Sequence, residues 1–333
     1  MRIGLTYDLK EDYLKMGLSP EEAAEFDSIE TIDAIERVLQ DMGFSTERLG
    51  NAYSLLEMLG KAKRWELVFN ICEGLHGAGR EAQVPAILEL FNIPYVFSDV
   101  LCLSLSLHKG MCKHVVRDHA IPTADFQVIR SVSEGSKIKL PYPLFVKPVA
   151  EGTGKGISPG SFVENESQLK LQLEYLLETF RQEVLVEVYL PGREFTAGLI
   201  GSNDDSRCIG VMEVNFKRTH AANTYSFENK LEYQHHVYYT KPEAEVIRKC
   251  EEVALASWKA LGCRDGGRVD LRMDAGGTPN FIEVNPLAGL HPEHSDLPIL
   301  ARMFGMDYKS LIRNMVFSAL NRYQLKAPNY EKC

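Results

Sequence analysis

The first 98 residues alternate between strand-like and helix-like segments, and this alternation restricts the fold more than any other feature of the chain. Residues 2–7, 45–49 and 67–71 are strand-like, and the last of these is apolar enough for a buried strand. A helix-like stretch follows each of them. This order predicts an α/β fold with an open parallel sheet, whose ligands bind beyond the carboxyl ends of the strands.

The first long helix is predicted to begin at Ser19. Ser19 is a suitable N-cap, Pro20 suits the first helical position, and acidic residues follow in the first turn. An apolar stripe with helical spacing then continues as far as Gly43. We therefore expect a helix over most of this segment, with a polar turn before it.

A glycine-rich turn at residues 73–79 joins the third strand to the next helix. It lacks the G-x-G-x-x-G spacing of a dinucleotide site, so an NAD site is not expected there. Its N–H groups can still face an anion at the start of the helix. His76 in this turn is either a catalytic group or, as is commoner for a loop histidine, only a hydrogen-bonding one.

A lysine and a second glycine-rich segment meet at the end of a later strand. Lys147 comes near the end of the apolar residues 143–148, and residues 151–156 read Glu-Gly-Thr-Gly-Lys-Gly. Glycines allow the backbone to approach a ligand closely and the ammonium group supplies charge, so this pattern suits nucleotide phosphates. It is not a Walker A motif, because the G-K-[ST] signature is missing. An ordinary flexible hairpin is the alternative interpretation.

Glu187 lies inside an apolar strand at residues 184–190. Burying a carboxylate is costly unless a partner replaces the lost hydration. We expect Glu187 to accept hydrogen bonds from a polar group, such as an adenine amine or ribose hydroxyls.

Residues 268–289 predict a β-hairpin that carries a metal site. Two short strands flank a glycine-rich turn at residues 274–277. The two-residue period of a strand places Asp270, from one strand, on the same face as Glu283 and Asn285 from the other. These oxygen ligands suit Mg²⁺ or Mn²⁺ better than zinc, with water and nucleotide phosphates completing the coordination. A solvated hairpin with scattered acids is the alternative.

The composition is that of a globular protein with an acidic surface. The 333 residues are 45% hydrophobic and 25% charged, and the net charge is -9. Neither nucleic acid nor an anionic membrane attracts such a surface, so neither is an expected partner. The apolar runs are too short for a bilayer span and no signal peptide is recognisable, which predicts a cytoplasmic protein. The seven cysteines form no C-x-x-C pair and are expected to be reduced.

Residues 215–239 form a polar and aromatic segment with little helical or strand periodicity. A long segment of this kind in a compact domain is usually a lid or a binding loop. The adjacent His235 and His236 lack a third ligand at a suitable spacing, so exposed histidines are favoured over a metal site.

Several motifs follow one another in a defined order. They are Lys109, the Phe-Val-Lys147-Pro strand with its glycine loop, Val-Glu187-Val-Tyr-Leu, Gly-Arg-Glu194-Phe-Thr, Gly-Arg268-Val-Asp270 and Ile-Glu283-Val-Asn285-Pro-Leu-Ala-Gly289. With residues 80–95 and 295–298, this order resembles the D-alanine–D-alanine ligase family of the ATP-grasp superfamily. The resemblance covers nearly the whole chain and implies an ATP-grasp fold behind an N-terminal open parallel-sheet domain. The implied domains are residues 1–98, a central subdomain at 99–190 and a C-terminal subdomain at 191–333.

The resemblance also implies ligands for individual residues. The implied ATP contacts are Lys109, Lys147 and the lid lysine Lys230 for the phosphates, a closing loop of Glu151, Gly152, Thr153, Gly154 and Gly156, and Glu187, Glu194 and the backbone at Val188 and Leu190 for ribose and adenine. Asp270, Glu283 and Asn285 would hold two Mg²⁺ or Mn²⁺ ions.

The implied reaction joins a carboxylate to an amine and belongs to peptidoglycan synthesis. The γ-phosphoryl group of ATP passes to a carboxylate, and an amine then attacks the acyl phosphate and releases phosphate. Arg268 and the Gly289 N–H would stabilise the tetrahedral intermediate, while Ser295 would bind the carboxylate of the second substrate. The lysines and the expected metal ions agree with this reaction, because phosphoryl transfer requires the reacting groups to be positioned and the charge on the phosphoryl oxygens to be neutralised. D-alanyl-D-alanine or a close analogue is the expected product. The resemblance to the family also implies a homodimer.

The chain departs from the family pattern around the first amino-acid site. The Gly-Gly-x-Ser turn after the first strand is absent, and Glu11, Glu25 and Asp27 are all candidates for the acid that receives the substrate ammonium group. Leu231 stands where the family has a lid tyrosine, and Thr153 where it has a loop serine. In the family these two groups form a hydrogen-bonded gate to the substrate site, and loss of the tyrosine hydroxyl removes one of its partners. Sites built from specific hydrogen bonds discriminate strongly between substrates. A ligase for another amino-acid or small-acid pair and a non-catalytic nucleotide-binding protein are therefore the alternatives.

Overall fold

The computed structural model describes residues 1–216 and 237–326. Within these residues the strands form three sheets, and helices pack against each sheet. None of the helices in the described part of the chain is both long and apolar enough to cross a membrane. The cysteines that the structure describes are all free thiols, as expected.

The N-terminal sheet is parallel and open. Its strands are β1 (Arg2–Tyr7), β2 (Ser45–Gly50), β3 (Leu67–Ile71) and β4 (Tyr95–Val96). They pair in the order β2-β1-β3-β4. The helices between them are α1 (Lys10–Lys15), α2 (Ile29–Asp41), α3 (Ala52–Gly60) and α4 (Gln83–Leu90), and a short 3₁₀ turn (Arg80–Ala82) precedes α4. The predicted strands and the open parallel sheet are confirmed.

The prediction of a helix that begins at Ser19 is wrong. The Ser19 hydroxyl accepts a main-chain hydrogen bond at 3.2 Å, as a capping residue does, but only turns and a bend follow it. The rings of Tyr13 and Phe26 stack with centroids 4.1 Å apart, which holds this segment against α1. Because that tertiary contact replaces helical continuation, α2 starts only after its N-cap, Ser28. The polar turn expected earlier contains the short helix α1.

The central part of the chain contains an antiparallel sheet. Helices α5 (Val100–Leu107) and α6 (Lys109–Asp118) lead into strands β5 (Phe126–Ile129), β6 (Leu144–Pro148), β7 (Phe162–Val163) and β8 (Val184–Val188). These strands pair in the order β5-β8-β6-β7. Helices α7 (Val132–Gly135) and α8 (Glu166–Phe180) belong to the same region, and α8 packs its apolar face on the sheet.

The C-terminal sheet is antiparallel and contains the predicted hairpin. Its strands are β9 (Glu194–Ile200), β10 (Arg207–Phe216), β11 (Val237–Thr240), β12 (Gly266–Met273) and β13 (Pro279–Asn285). They pair in the order β11-β10-β9-β12-β13, so the hairpin is the pair β12 and β13. Three helices accompany this part of the structure, α9 (Ala244–Ala260), α10 (Asp296–Met303) and α11 (Tyr308–Arg322).

The helix α11 returns to the N-terminal sheet. Buried side chains of α2, such as Ile32 and Ile35, share one apolar core with Leu311 and Met315 of α11. The strands of each sheet fall within one of the three predicted segments, but α11 joins the first to the last. The domain boundaries at residues 98 and 190 therefore stay a prediction.

A buried carboxylate holds α11 against the N-terminal sheet. Asp265 is fully buried and accepts hydrogen bonds from the Phe97 N–H at 2.7 Å, the Ser202 hydroxyl at 3.1 Å and the Ser318 hydroxyl at 2.7 Å. Arg322 at the end of α11 donates to the same carboxylate at 2.6 Å. We call these five residues the Asp265 joint. It connects the last strand of the N-terminal sheet to β12 and α11.

Candidate active site

Two cavities adjoin where the three sheets meet. The small cavity, of about 130 Å³, lies between the strands β6 and β8 and the strands β9, β12 and β13. The large cavity, of about 380 Å³, extends from β13 and the loop after it to the segment before α2. Of the described residues, eight line both cavities, namely Lys109, Glu151, Gly152, Thr153, Tyr239, Arg268, Glu283 and Asp296.

The two lysines predicted to bind phosphate border the small cavity. Lys147 lies in β6, and its Nζ is 2.9 Å from Glu187 Oε1. Lys109 begins α6, and its Nζ donates to the main-chain oxygen of Glu151 at 2.5 Å and lies 3.5 Å from Glu283 Oε2. Both lysines are largely buried, so two positive charges with fixed positions face the same cavity.

The glycine-rich loop forms a wall between the two cavities. Thr153, Gly154 and Gly156 have φ angles of 56°, 74° and 75°, in a region that suits glycine and strains other residues. The Gly152 N–H donates to Glu25 Oε1 at 2.9 Å, and a Cβ atom at residue 152 would approach that oxygen to 2.5 Å. The loop therefore contacts the N-terminal segment directly, and position 152 has no room for a side chain.

The other residues predicted to bind the nucleoside also line the small cavity. Glu194 of β9 lies there, 3.2 Å from the guanidinium group of Arg272. Burial raises the pKa of Glu194, although Arg272 opposes the shift. Residues 188–190 form an adjacent wall. The Val188 N–H donates to the main-chain oxygen of Asp125 at 2.9 Å, so an adenine contact by Val188 would use its carbonyl oxygen.

Glu187 has the polar partners that its burial requires, but they are lysines. Its Oε2 is 2.7 Å from Lys113 Nζ and its Oε1 is 2.9 Å from Lys147 Nζ. Burial alone would raise the pKa of Glu187, yet the two ammonium groups lower it to about 2. Contacts of Glu187 with adenine or ribose stay a prediction. Sequence reasoning missed Lys113, although it lies one helical turn beyond Lys109 on α6 and so on the same face.

The hairpin brings Asp270, Glu283 and Asn285 together. Asp270 and Glu283 are cross-strand partners, and Asn285 Nδ2 donates to Asp270 Oδ2 at 3.1 Å. Burial raises the pKa of Asp270, and the nearby Glu283 carboxylate adds to that shift. Burial would also raise the pKa of Glu283, but Lys109 and Lys147 lower it to about 2. Two carboxylates thus share a buried space with cationic side chains around them.

The side-chain oxygen atoms of Asp270, Glu283 and Asn285 fit a divalent cation. Arg268 donates to Asp270 and Lys109 lies beside Glu283, so side-chain cations already contact both carboxylates. Carboxylate and amide oxygens are the ligands that Mg²⁺ and Mn²⁺ prefer. No group of three or more His, Cys, Asp or Glu side chains within residues 1–216 and 237–326 is arranged to bind a metal. A cation at Asp270, Glu283 and Asn285 would therefore need further oxygen ligands, which water and phosphate can supply.

The groups predicted to surround the reacting atoms line the large cavity. Gly289 lies in the loop after β13, where a Cβ atom would lie 2.8 Å from Ser295 Oγ. Ser295 Oγ accepts a hydrogen bond from the His291 N–H at 2.9 Å. Arg268 Nη1 lies 3.8 Å from Oδ2 of Asp296, the residue after Ser295. Gly289, Ser295 and Arg268 are therefore brought together, and Asp296 joins them without having been predicted.

Part of the predicted lid lies outside the described residues, including Lys230, Leu231, His235 and His236. Its two described ends are regular, because β10 extends to residue 216 and pairs with β11 from residue 237. Both ends therefore belong to strands, and the expectation of little periodicity over much of this segment stays a prediction for the part outside the described residues. His76 is exposed and lines neither cavity, which favours the hydrogen-bonding interpretation of this loop histidine.

The structure separates the three candidate acids for the substrate ammonium group. Glu11 is exposed on α1. Glu25 lines the large cavity but lies 3.2 Å from Arg80 and 3.4 Å from Lys155. Asp27 lines the same cavity, and no lysine or arginine among the described residues forms an ion pair with it. Burial raises the pKa of Asp27 to about 7. Of the three acids, Asp27 is the one that still needs a cationic partner.

Two further acids that line the large cavity received no predicted role. Burial raises the pKa of Glu81 to about 7 and raises that of Glu73 well above its usual value. Both side chains line the large cavity, and Arg80 lies between Glu25 and the main-chain oxygen of Ala150. The available signal was their position after β3, since open α/β sheets bind ligands beyond the strand ends.

The sequence is similar to one family model and to several known proteins over most of its length. A family model described as "D-ala D-ala ligase C-terminus" matches residues 115–317. The chain is 31% identical over 301 residues to the uncharacterized protein y4sG of Sinorhizobium fredii, across 87% of this chain and 88% of that protein. It is 30% identical to a D-alanine–D-alanine ligase of Aquifex aeolicus over 291 residues, across 86% and 93% of the two chains.

The fold has a counterpart among solved structures. The crystal structure of a D-alanine–D-alanine ligase from Bacillus anthracis complexed with ATP matches 97% of this chain and 98% of its own. The TM-score is 0.73 and the sequence identity is 24%. This likeness confirms the predicted ATP-grasp fold with its N-terminal parallel-sheet domain.

Proposed function

Because the chain belongs to the D-alanine–D-alanine ligase family, we propose that it is an ATP-dependent ligase that joins a carboxylate to an amine. The proposed product is D-alanyl-D-alanine or a close analogue. A carboxylate oxygen of the first substrate attacks the γ-phosphorus of ATP, and ADP leaves. The amine of the second substrate then attacks the acyl carbon. Phosphate leaves with the electrons of the C–O bond, and the amine loses its proton.

The observation that carries this proposal is the charge arrangement where the two cavities meet. Lys109 and Lys147 border the small cavity, and Lys109 lies 3.5 Å from Glu283, which lines both cavities. Phosphoryl transfer spreads negative charge over oxygens, so it needs fixed positive groups and positioning rather than a protein nucleophile. A simple nucleotide-binding protein would not need a second cavity with Arg268 and Gly289 in its wall.

The nucleotide is assigned to the small cavity. We propose that Lys109 and Lys147 bind its phosphates beneath the loop of residues 151–156, with Lys230 as a further phosphate ligand. Glu194 would bind the ribose, and the main chain of residues 188–190 would contact the adenine. Glu187 would affect nucleotide binding through its contacts with Lys113 and Lys147, because both of its oxygens already face these ammonium groups.

Asp270, Glu283 and Asn285 are the proposed ligands for two Mg²⁺ or Mn²⁺ ions. A bound divalent cation would neutralise charge on the phosphoryl oxygens during transfer. The protein contributes the matching side-chain charges, because Lys109 keeps Glu283 ionised and Arg268 donates to Asp270.

The amino-acid substrates are assigned to the large cavity. Arg268 and the Gly289 N–H are proposed to bind the oxyanion that forms when the amine attacks. Ser295 would bind the carboxylate of the second substrate. Asp27 would bind the ammonium group of the first, because it is a cavity carboxyl without a cationic partner among the described residues. This assignment gives Asp27 the role that the family's glutamate performs.

One observation favours the alternative, a ligase for a different amino-acid or small-acid pair. The large cavity is lined by charged and polar side chains such as Lys10 and His291 as well as by apolar ones such as Phe26 and Leu287, so it is not shaped for a methyl group alone. An acyl donor with a polar side chain would use these groups better.

A substrate panel with product mass measurement tests the function. We expect ATP, Mg²⁺ and D-alanine together to give phosphate release and the mass of a D-alanine dipeptide. A dipeptide formed only from a mixed pair would replace this product with that of the alternative ligase. Nucleotide binding without substrate-stimulated phosphate release across the panel would contradict ligase activity.

The proposed function also indicates the partners, the location and the assembly of the enzyme. We propose small-molecule partners, a cytoplasmic location with access to ATP, and a homodimer as in the family resemblance. Sedimentation of the purified protein at micromolar concentration tests the dimer, and a monomer there would exclude it.

A further inference from the structure

A fully buried lysine lies behind the small cavity without lining it. Lys113 of α6 is 0% exposed, and its side chain is absent from the walls of both cavities. Its Nζ is 2.7 Å from Glu187 Oε2 and 5.5 Å from the centroid of the Phe126 ring. Replacing a buried ion pair with apolar groups is often neutral or stabilising, so stability alone does not explain this lysine.

Lys113 shares its carboxylate with a lysine that does line the small cavity. Lys147 Nζ lies 2.9 Å from the other oxygen of Glu187, so a single carboxylate bridges two ammonium groups. The three side chains are at most 5% exposed. Two positive groups and one negative group leave an excess of positive charge, and that charge is open to a ligand only at Lys147.

The electrostatics of the three groups agree with this arrangement. Burial lowers the pKa of Lys113, although Glu187 opposes the shift. Burial also acts to lower the pKa of Lys147, but the carboxylates of Glu187 and Glu283 outweigh it and raise the value. Lys147 therefore stays protonated at neutral pH even in its buried position.

We propose that Lys113 is a positioning residue for the nucleotide, acting on Lys147 through the carboxylate that they share. Without Lys113, Glu187 and Lys147 would form a neutral pair, and the carboxylate would draw the Lys147 ammonium group away from the cavity. With Lys113 present, the carboxylate is held from both sides and Lys147 keeps a net positive charge for a phosphate. This inference rests on the proposed function, because it assumes that the small cavity binds a nucleotide.

The test measures nucleotide affinity directly, so it does not depend on turnover. In Lys113→Met the side chain keeps a similar length but loses its charge. We expect the Kd for ADP, measured by titration calorimetry, to rise about tenfold or more, because Lys147 is then neutralised by Glu187 and offers less positive charge to a phosphate. The KM for ATP should rise with it, while the KM for the amino-acid substrates stays within about twofold. A merely structural role would not separate the two KM values.

A second substitution restores the charge balance. In Lys113→Met with Glu187→Gln, Lys147 loses its ion pair with residue 187 and keeps its charge, so we expect most of the ADP affinity to return. Lys113→Arg retains the cation and should bind ADP within about threefold of wild type. Arg322→Met is the control, because it removes a partly buried, ion-paired cation from the Asp265 joint, which lies outside both cavities, and should leave the Kd unchanged.

Each outcome decides the question. Unchanged ADP affinity in folded Lys113→Met, or a double variant that binds no better than Lys113→Met, overturns the role of Lys113. If Lys113→Met does not fold, the double variant is compared with Glu187→Gln. Because Lys113 acts through Glu187, equal ADP affinity is expected in these two, and a clearly lower affinity in the double variant overturns the role. A wild-type protein that binds no ADP overturns the proposed function itself, which distinguishes the two failures.

Discussion

Two aspartates near the start of β12, Asp265 fully buried and Asp270 partly buried, are held in opposite ways. Asp265, just before the strand, is surrounded by donors, which are hydroxyl groups, a main-chain N–H and the guanidinium group of Arg322. Asp270, within the strand, also accepts hydrogen bonds, from Thr196 at 2.8 Å and from Asn285 at 3.1 Å. It differs in having a second carboxylate, Glu283, as its cross-strand partner.

This difference separates a carboxylate that completes a structure from one that still requires a ligand. At Asp265 the donors of the fold satisfy the charge, and no other acid competes for them. At Asp270 burial and the neighbouring Glu283 carboxylate raise the pKa, whereas Lys109 and Lys147 lower the pKa of Glu283. Perturbed carboxylates that line a cavity mark candidate functional sites, whereas a satisfied one marks a structural connection.

The largest expected effect is on turnover at the carboxylate pair. We expect Asp270→Ala and Glu283→Ala each to lower kcat on the order of 10³-fold, because each removes a proposed metal ligand. The stability of Asp270→Ala should stay within about 1 kcal/mol of wild type, since the loss of this acid relieves its repulsion with Glu283. Phosphate-release kinetics and urea unfolding measure the two quantities. Activity within tenfold of wild type in both variants would contradict the metal assignment.

The opposite result is expected at the Asp265 joint. Arg322→Met leaves a fully buried carboxylate without its cation and should lower the free energy of unfolding by about 3–5 kcal/mol. The ADP affinity of the folded protein should not change. Urea unfolding and titration calorimetry check both statements. A loss below about 1 kcal/mol would show that the joint does not depend on Arg322.

A smaller effect is expected at the loop that covers the junction. In Gly152→Ala the new Cβ atom would meet Glu25 Oε1 at 2.5 Å, so either the loop or Glu25 must move. We expect kcat/KM to fall about tenfold, since small displacements of positioning groups reduce catalysis. Gly60→Ala is the control, because a Cβ atom there meets nothing within 4 Å and activity should be unchanged. Equal activity in the two variants would show that the loop can be displaced freely.

The smallest effect concerns Asp27, a partly buried acid in the wall of the large cavity, and depends on pH. Burial raises its pKa from 3.8 to about 7, so the folded protein holds a proton that the unfolded chain releases. Wild type should therefore lose stability relative to Asp27→Asn as the pH rises through this range. Ionised Asp27 binds an ammonium group better, so kcat/KM for the first substrate should rise a few-fold on passing about pH 7.

The control for this last prediction is Asp12→Asn, which changes an exposed acid on α1 and should keep the wild-type pH dependence. A profile for Asp27→Asn that rises as steeply as that of wild type would assign the ammonium group to another acid.

Local patterns were enough to predict most of the fold. The strands of the N-terminal sheet and the hairpin of β12 and β13 have periodicities that depend only on neighbouring residues. The faces of Asp270 and Glu283 follow from the period of a strand, so their approach was predictable. The helix start at Ser19 was not, because a stacking contact between Tyr13 and Phe26 overrides the capping signal.

The pairings between distant segments could not be predicted. Lys113 comes from a helix and Glu187 from a strand far along the chain, and no local pattern connects them. The same is true of Glu25 and Lys155, whose contact depends on how the glycine-rich loop meets the N-terminal segment. Asp27 could be named only as one of three candidates, because its lack of a cationic partner is a property of the folded cavity.

The wall shared by the two cavities limits how an enzyme of this kind can evolve. A substitution at Lys109, Glu283 or Arg268 alters the surroundings of both substrates at once, so nucleotide use and amino-acid choice cannot drift separately there. Residues such as Lys10 and Asp27 line only the large cavity. Descendants of one ancestral protein can therefore acquire new amino-acid preferences at these positions while their dependence on ATP is inherited unchanged.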